Sequence, residues 1–583
     1  MRVGTAQKRV IALILAIIVG SALYTIMPPD WPEGTYQLAI EIPKYGVNGT
    51  LTYVLGEDSH EITATFSGNG INITASVGAV TSISPGNKIV ITAEVKGAED
   101  LTLSDIHLKI ATPDGRHYEY LPIKYINNEA VFEIQPYSKL KESAFIFGSA
   151  IVLFAAASVI HYVITGIYVT LALVLVGVVT QKSAFTLYMA PLIWVFIAGS
   201  AMELIIKETG LDKRVARTLT SFATSPARLI IGAGLIVSFL SMWMSNTAAT
   251  YVILPLVISL VTQAKIDNTR FSSILFASLA MAASVGGTAT IIGTPPNLIV
   301  SQLLNDIVYK NAGVTQFMDF NRWLLVGAPA WLIGITVGLF LAMIYARVVA
   351  ADELPRIGEA LRRLKVEEER KPLSKQEILG LANMLFLVTL WLTEPLHHIS
   401  SGIAGAIGLL VFFATGVLDV KKHFKKLAWD LMVLFGAGLT LGKALMATGF
   451  AEQLLVVLSP VRYMGFTAWF VVGFAAYIVG TFISSHTSAS AFIAPLTIPL
   501  GMLIAAGMGI PLEAGAAVAT IAAVVSLNNA VALPISTPPS AIVYSTGRVR
   551  MRDLVTYGLL YGVIANTLTI GILANYWIGV LTP

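Results

Sequence analysis

The chain has 583 residues, of which 55% are hydrophobic and 12% are charged. Soluble domains carry about 25% charged residues, so this composition indicates an integral membrane protein. The formal net charge of +4 is too small to indicate a nucleic-acid partner, and the lack of cysteine excludes disulfides, thiol catalysis and cysteine-ligated metals.

The first predicted element is an apolar run within residues 1–27, which follows Arg2, Lys8 and Arg9. Such a run is either a membrane helix or a cleaved signal peptide. Its length and the lack of a small-x-small cleavage site favour a membrane helix, which would place the N-terminus in the cytoplasm. Both interpretations place the residues that follow outside the cytoplasm.

Residues 28–142 differ in kind, because short alternating runs are separated there by Gly, Asn, Asp and Pro. This pattern predicts an all-β, sandwich-like extracytoplasmic domain built from antiparallel strands. The sequons that begin at Asn48 and Asn72 agree with an external location. We interpret this domain as a structural or interaction module. The predicted strands are 36–42, 61–66, 71–77, 88–95 and 131–134.

The remainder is dominated by apolar segments and divides into two similar parts, 143–348 and 376–583, joined by a charged loop at 349–375. About 20 apolar residues are needed to cross a bilayer. Shorter segments on either side of a polar turn therefore predict re-entrant hairpins. The fold expected is a polytopic α-helical, inverted-repeat transporter with about 11 membrane spans. Hairpins are predicted at 226–262 and 464–502, and broken helices at 271–305 and 512–545.

A pair of motifs occurs once in each part. Ser245-Asn246-Thr247 is repeated as Ser485-His486-Thr487 at an offset of 240, and Gly293-Thr294-Pro295-Pro296-Asn297 corresponds to Ser536-Thr537-Pro538-Pro539-Ser540 at an offset of 243. A third correspondence joins Phe196 to Phe435 at an offset of 239. Interrupted apolar segments at matching places in two halves are the strongest sequence indication of a transporter binding site.

Basic residues determine the predicted orientation. They concentrate in alternate loops, which the positive-inside rule assigns to the cytoplasm. This assignment places the first hairpin on the cytoplasmic side and the second on the external side of the plasma membrane. The basic residues concerned are Lys213, Arg214, Arg217, Lys265, Arg270, those of loop 349–375, Lys421, Lys422, Lys425, Lys426, Arg548, Arg550 and Arg552.

The broken segments suit charged ligands. A half-helix that begins at a turn presents free N–H groups and a partial positive charge, which favours a carboxylate or sulfate. A half-helix that ends there exposes carbonyl oxygens, which together with Ser and Asn oxygens can hold a hard cation such as Na⁺. Neither turn contains an arginine, so a cotransported cation is the expected partner of a doubly charged anion.

These sequences resemble the divalent anion/sodium symporter family of dicarboxylate, citrate and sulfate carriers. The resemblance covers about residues 143–583 and excludes the β domain. It is carried by Ser241-Met242-Trp243-Met244-Ser245-Asn246-Thr247-Ala248, Gly293-Thr294-Pro295-Pro296-Asn297-Leu298, Trp391-Leu392-Thr393-Glu394-Pro395-Leu396 and Ala532-Leu533-Pro534-Ile535-Ser536-Thr537-Pro538-Pro539.

The resemblance implies two sodium sites and one anion site. It further implies a homodimer in which a transport domain moves against a static scaffold, the elevator mechanism. The first sodium site would comprise Ser241, Ser245, Asn246 and Gly293, and the second Thr481, Ser484, His486 and Ser536. The residues expected to contact substrate are Asn246, Thr247, Thr294, Pro295, His486, Thr487, Thr537 and Pro538.

One departure leaves the coupling ion open, because His486 replaces the family's second-hairpin asparagine. Neutral His486 could donate to substrate, a protonated ring could replace the second sodium, or the ring could titrate during transport. The last two roles would make the protein an anion exchanger or an H⁺-coupled carrier. Asn528 and Asn529 are predicted to serve helix packing, and Glu203 and Lys443 to pair or snorkel at helix ends.

Other classes of protein fit less well. ATP-driven transport is excluded because no P-loop sequence is present. An intramembrane hydrolase would need paired Asp, a Ser/His dyad or a metal cluster, and adjacent Ser485 and His486 do not define that geometry. A channel has little use for inverted hairpins. A receptor or adhesion protein with a carrier-like anchor is the third alternative.

Overall fold

The structure is a computed structural model. It describes residues 5–583 except 57, 81–83, 86, 99–100, 102–104, 121, 123, 127, 158, 218–222, 310–312, 315–316, 364–371, 451–452, 454–457 and 484.

Nine strands form two antiparallel sheets in the described part of the N-terminal region. Their order is β2-β1-β6-β7 in one sheet and β3-β4-β5-β9-β8 in the other. The strands are β1 Gly34–Ile42, β2 Val47–Leu55, β3 Ile62–Gly68, β4 Ile71–Val77, β5 Ile89–Lys96, β6 His107–Ala111, β7 His117–Tyr120, β8 Lys124–Ile126 and β9 Glu129–Ile134.

Alternation of side chains explains how each sheet buries one face. Every second residue of β1 from Tyr36 to Ile42 is buried, and β4 and β5 show the same period of two. The turn between β3 and β4 is Asn69-Gly70, with φ of 52° and 82°. A tight hairpin turn of this kind needs positive φ at both residues, which Asn and Gly tolerate best.

The rest of the chain is helical. Its first helices are α1 Thr5–Ile26, α2 Leu140–Ala155, α3 Tyr162–Leu175, α4 Gln181–Thr186, α5 Pro191–Thr209, α6 Leu211–Arg217, α7 Pro226–Ser241, α8 Asn246–Gln263, α9 Arg270–Gly286, α10 Pro295–Leu303, α11 Phe320–Val349 and α12 Leu354–Arg363. The later helices are α13 Lys375–Leu392, α14 Glu394–His397, α15 Ser401–Ala414, α16 Val420–His423, α17 Trp429–Ala447, α18 Thr467–Phe482, α19 His486–Met508, α20 Leu512–Asn528, α21 Pro538–Ser545 and α22 Met551–Leu581.

Eight helical segments among the described residues are long and apolar enough to cross a membrane. The protein is therefore a multi-pass helical membrane protein. Its helices pack in two groups. The frame helices are α2, α3, α5, α13, α15 and α17, and the hairpin helices are α7, α8, α9, α11 and α18 to α22. The two groups meet where α19 packs against α17, and α10 lies between them against α5, α17 and α19.

Both ends of the β region are tied to the helices. Arg116 donates to the carbonyl oxygens of Pro29 at 2.7 Å and Asp30 at 2.9 Å. The Asp30 carboxylate in turn accepts from the backbone N–H groups of Lys139 at 3.0 Å and Leu140 at 3.2 Å. Asp30 therefore satisfies free N–H groups at the start of α2 and fixes the entry and exit of the β region together.

A second attachment lies at the end of α17. Tyr137 OH donates to Gln453 Oε1 at 3.1 Å, and Ser138 N–H donates to the Thr448 carbonyl at 3.3 Å. Gly449 has a φ of 82°, and a Cβ there would come within 2.3 Å of the Tyr137 ring. The β region therefore rests on a frame helix.

Candidate functional site

The first hairpin is built by α7 and α8, which pack against each other across the turn at 242–245. Ser245 caps α8 by accepting from Ala248 N–H at 3.3 Å. The turn therefore ends at this serine, and the free N–H groups of Asn246 and Thr247 point away from the body of α8. Ser245 is exposed, whereas Asn246 and Thr247 are half-buried.

The first broken helix consists of α9 and α10, which are separated by a buried, non-helical segment from Gly287 to Thr294. Buried irregular backbone needs hydrogen-bond partners. Asn297 supplies them by donating from Nδ2 to the carbonyls of Gly287 and Thr290, both at 2.8 Å. Thr290 Oγ1 also donates to the Met242 carbonyl at 2.5 Å, which ties the break to the hairpin turn.

Acceptor oxygens outnumber donors where these two elements meet. Ser241 Oγ lies 2.6 Å from Asn246 Oδ1 and 2.6 Å from the Ala283 carbonyl oxygen, but it carries one hydrogen and can donate to one of them at a time. A Cβ on Gly287 would lie 2.5 Å from Asn246 Oδ1 and 3.0 Å from the Gly293 carbonyl oxygen, so these oxygens face the same space. A surplus of oxygen acceptors fits a hard cation.

Two helix N-termini adjoin this oxygen cluster. Asn246 is the first residue of α8, and Pro295 is the first residue of α10. Pro295 and Pro296 at the start of α10 have no N–H group, and Asn297 N–H donates to the Thr294 carbonyl at 3.2 Å, so this helix start offers the positive end of its dipole rather than free N–H groups. A Cβ on Gly287 would lie 3.1 Å from Thr294 Cβ, so Thr294 lies beside the cluster. The pair of N-termini suits an anion.

The second hairpin is built by α18 and α19. Ser485 caps α19 by accepting from Ser488 N–H at 3.1 Å, while Ser484 lies outside the described residues. His486 Nε2 lies 3.3 Å from the Gly480 carbonyl oxygen. A carbonyl only accepts, so Nε2 carries the hydrogen in this contact. The ring also contacts the backbone of Ala530, and Thr487 is half-buried beside it.

Among the described residues of this second half, hydroxyl groups donate to carbonyls of α18. Ser536 Oγ donates to the Thr481 carbonyl at 2.7 Å, and Thr481 Oγ1 donates to the Tyr477 carbonyl at 2.9 Å. Carbonyls near the end of α18 are therefore occupied by hydroxyl or ring N–H donors. Thr537 caps α21 by accepting from Ser540 N–H at 3.1 Å, and Pro538 follows it as the first residue of that helix.

The two halves correspond residue by residue. At the 243 offset, Gly287 of the first broken helix corresponds to Ala530 of the second. Asn246 lies against Gly287, and His486 lies against Ala530. Each hairpin residue therefore contacts the equivalent point of its own broken helix. Because the offset of 243 relates Gly287 to Ala530, the sequence repeat could have identified Gly287 as the position that the first hairpin contacts.

Three groups near the site were not among its predicted members. The Ala283 carbonyl is a backbone group that carries no residue signature. Asn528 Nδ2 lies 3.1 Å from Thr288 Oγ1 and 3.4 Å from Asn297 Oδ1, so it joins the broken helices of the two halves as well as packing α20. Glu203 contacts the first hairpin turn by accepting from Ser245 N–H at 3.1 Å.

Comparison with known proteins identifies the family of this chain. The citrate transporter family (CitMHS) matches residues 150–522. An uncharacterized transporter of Haemophilus influenzae is 29% identical over 430 residues, which cover 70% of this chain and 85% of that protein. The sodium-dependent dicarboxylate transporter SdcS of Staphylococcus saprophyticus is 28% identical over 403 residues, covering 63% and 73%.

Two solved transporter structures are also similar. The YdaH transporter of Alcanivorax borkumensis has a TM-score of 0.45 at 16% identity and covers 72% of this chain and 98% of its own. MtrF of Neisseria gonorrhoeae has a TM-score of 0.45 at 14% identity, covering 70% and 84%.

The family match extends over more than half of the chain and includes both hairpins and the first broken helix. The protein is thus a secondary transporter and not an enzyme. As the resemblance to divalent anion/sodium symporters predicted, the chain belongs to the citrate transporter family.

Proposed function

We propose that the protein carries divalent anions, such as succinate, citrate or sulfate, in symport with Na⁺. The surplus of acceptor oxygens around Ser241 and Asn246, beside two helix N-termini, is the observation that supports this proposal. The relatives named SdcS are sodium-dependent dicarboxylate transporters, which supports both the ion and the substrate class.

The anion and the cation need each other at such a site. Helix N-termini contribute about 0.3–1 kcal/mol each, or about 2 kcal/mol in favourable geometry. That is small against the cost of desolvating a doubly charged anion. A sodium ion held by Ser241, Asn246 and the Gly293 carbonyl would offset far more, so each ligand favours binding of the other. Transport that needs both follows from this coupling.

The proposed anion site combines both halves. Its members lie at the starts of half-helices, which carry a partial positive charge. They are Asn246, Thr247, Thr294 and Pro295 from the first half, and His486, Thr487, Thr537 and Pro538 from the second.

His486 favours one alternative for the ion. Its ring N–H donates to the Gly480 carbonyl, and the Ser536 hydroxyl donates to the Thr481 carbonyl, beside the place expected for the second sodium. His486 would then replace the second sodium, in a dicarboxylate exchanger or an H⁺-coupled carrier of the same fold. If uptake by the unaltered protein ignores sodium and His486→Asn creates sodium dependence, this alternative replaces the symport proposal.

We propose an elevator movement for the transport step. The hairpin helices would move as a transport domain against the frame helices, because each group packs mainly within itself. The two hairpins would be re-entrant, since α7 and α18 have 16 residues each and a span needs about 20. A homodimer is expected from the family resemblance.

We place the protein in the plasma membrane with residues 1–27 as a retained helix. A Cβ on Gly148 would lie 3.2 Å from Gly20 Cα, and close approach at glycines is typical of packed membrane helices. The proposed division is an extracytoplasmic β domain at 28–142, two repeats at 143–348 and 376–583, and a cytoplasmic loop at 349–375.

The test is uptake of labelled succinate by proteoliposomes that contain the purified protein. An inward Na⁺ gradient is compared with an equal K⁺ gradient, and citrate, sulfate and phosphate are added as competitors. Sodium-stimulated uptake inhibited by a divalent anion supports the proposal. Uptake that requires only internal dicarboxylate or a proton gradient refutes symport with sodium.

A further inference from the structure

Glu203 connects a frame helix to the moving end of the first hairpin. It lies on α5, and its Oε2 accepts from Ser245 N–H at 3.1 Å. Its Oε1 accepts from Lys207 Nζ at 2.7 Å, one turn further along the same face of α5. The Glu203 side chain is 20% exposed, and its hydrogen bond with Ser245 is open to water on the Ser245 side.

The hairpin does not need this contact in order to fold. Ser245 caps α8 through its own hydroxyl, and the residue is exposed, so water can replace the carboxylate at its N–H. The α5 helix packs against α13 and α15, and those contacts do not involve the hairpin turn. The Glu203–Ser245 hydrogen bond therefore adds a specific link between two groups that are otherwise complete.

The equivalent position in the second half carries no side chain that could form this link. At the 239 offset that relates α5 to α17, Gly442 occupies the position of Glu203. A Cβ on Gly442 would meet Leu303 at 2.7 Å and Pro495 at 3.3 Å, so its surroundings are apolar and closely packed. One repeat holds its hairpin turn with a charged group, and the other presents a glycine. The two end conformations of the transport domain would therefore differ in free energy.

We infer that Glu203 is a positioning residue, whose hydrogen bond to Ser245 N–H holds the first hairpin turn against the frame helices in the conformation described here. We call this hydrogen bond the latch and the conformation that contains it the latched conformation. The inference rests on the proposed function in one respect, the movement of the hairpin helices that would break this bond. Each time the hairpin helices move relative to α5, the Ser245 N–H must leave the carboxylate. The latch thereby sets how much of the protein occupies the latched conformation.

The size of the effect follows from the bond. A hydrogen bond that competes with water changes a two-state population by up to about tenfold. Glu203→Ala removes the acceptor, whereas Glu203→Gln keeps an acceptor oxygen at the same reach and loses the charge. We expect Glu203→Ala to lower the latched population by up to about tenfold and Glu203→Gln to restore part of it.

The absence of native cysteine allows a direct measurement by cross-linking. Gly199 lies one turn before Glu203 on α5, and a Cβ there would lie 3.1 Å from Ile292 Cβ in the first broken helix. Gly199→Cys with Ile292→Cys therefore reports the latched conformation. As a control, Gly166→Cys with Ala437→Cys joins α3 to α17 within the frame, where the Cβ separation would be 3.2 Å.

The experiment compares oxidation rates of both cysteine pairs in the full-length protein, with and without the Glu203 substitutions. The latch predicts that Glu203→Ala slows the Gly199–Ile292 pair by up to about tenfold, that Glu203→Gln slows it less, and that the Gly166–Ala437 pair keeps its rate. Unchanged rates at the first pair, equal slowing of both pairs, or no cross-link in the parent overturn the inference. Because the readout needs no transport, its failure is distinguishable from failure of the proposed function.

Discussion

Asn528 Nδ2 donates to Thr288 Oγ1 at 3.1 Å and thereby joins the two broken helices of the repeats. The same amide lies 3.4 Å from Asn297 Oδ1, and Asn297 holds the carbonyls of the first break in place. The first repeat has Val285 at the position that corresponds to Asn528, and a valine side chain cannot donate a hydrogen bond. The second repeat therefore donates to the first, and Val285 cannot form the reverse bond.

Replacing Asn528 with leucine removes this donor while keeping the volume of the side chain. We expect a loss of about 0.6–1.7 kcal/mol in stability, as found for hydrogen bonds between membrane helices. The measurement is the free energy of unfolding in detergent micelles. Ser278→Ala is the matched control, because Ser278 is buried on α9 and bonds its own helix at the Leu275 carbonyl. Equal stability of the Asn528 variant and the parent would contradict the bridging role.

Ser241→Ala removes an oxygen from the proposed cation site. Loss of a group that holds or orients a bound metal typically costs about 10–100-fold in affinity. We therefore expect the Na⁺ concentration for half-maximal succinate uptake to rise about tenfold or more, with Ser278→Ala unchanged. Direct Na⁺ titration of the purified variants by calorimetry provides the second readout. A Ser241→Ala protein with unaltered sodium dependence would remove this residue from the site.

Gly287→Ala tests the close approach of the hairpin to the first break. A Cβ at Gly287 would lie 2.5 Å from Asn246 Oδ1, which is too short for any real contact, so the oxygen must move. Substrate and sodium binding are expected to be lost while the protein remains folded. Gly571→Ala is the control, because its Cβ would lie 3.6 Å from Phe470 Cζ, an ordinary van der Waals distance. Retained uptake by Gly287→Ala would show that Asn246 is not positioned by this glycine.

Local sequence predicted much of this arrangement. The hairpin turn before Asn246 and the break before Pro295 lie where small polar residues interrupt apolar runs, so their places follow from backbone propensity. Contacts between distant residues did not follow. Glu203 and Ser245 are separated by 42 positions and Asn528 and Thr288 by 240, and only tertiary packing brings each pair together. Sequence predicted a paired role for Glu203 but not its partner in the hairpin.

The pH dependence of the β region should depend on Asp114. A hydrogen bond from Arg116 lowers the pKa of Asp114 from 3.8 to about 2. A lowered pKa in the folded state gives stability that is fully present above pH 3.8 and is lost as the pH falls through about 2. Arg116 also holds the backbone before β1, so acid should release this linker.

Limited proteolysis near Pro29 between pH 5 and pH 2 measures that release, with an acid-stable protease such as pepsin. Cleavage is expected to increase below about pH 4 in the parent, whereas Asp114→Asn should be cleaved at all these values without a transition. A transition that persists in Asp114→Asn would assign it to another group.

Movement between the two helix groups can be tested by a second cysteine pair. A Cβ on Gly438 of α17 would lie 3.1 Å from Ala491 Cβ of α19. Oxidation of Gly438→Cys with Ala491→Cys should stop uptake, and reduction should restore it, because the bond joins a frame helix to a hairpin helix. The Gly166–Ala437 pair should cross-link without effect. Full uptake by the oxidised Gly438–Ala491 protein would contradict an elevator movement between these groups.

If a sodium ion and a divalent anion are bound and moved together, an inward Na⁺ gradient should drive uptake of labelled succinate into proteoliposomes. The measurement compares this gradient with an equal K⁺ gradient. We expect concentrative uptake with sodium and only passive exchange with potassium. Equal uptake in both gradients would contradict symport with sodium and would favour an anion exchanger or an H⁺-coupled carrier.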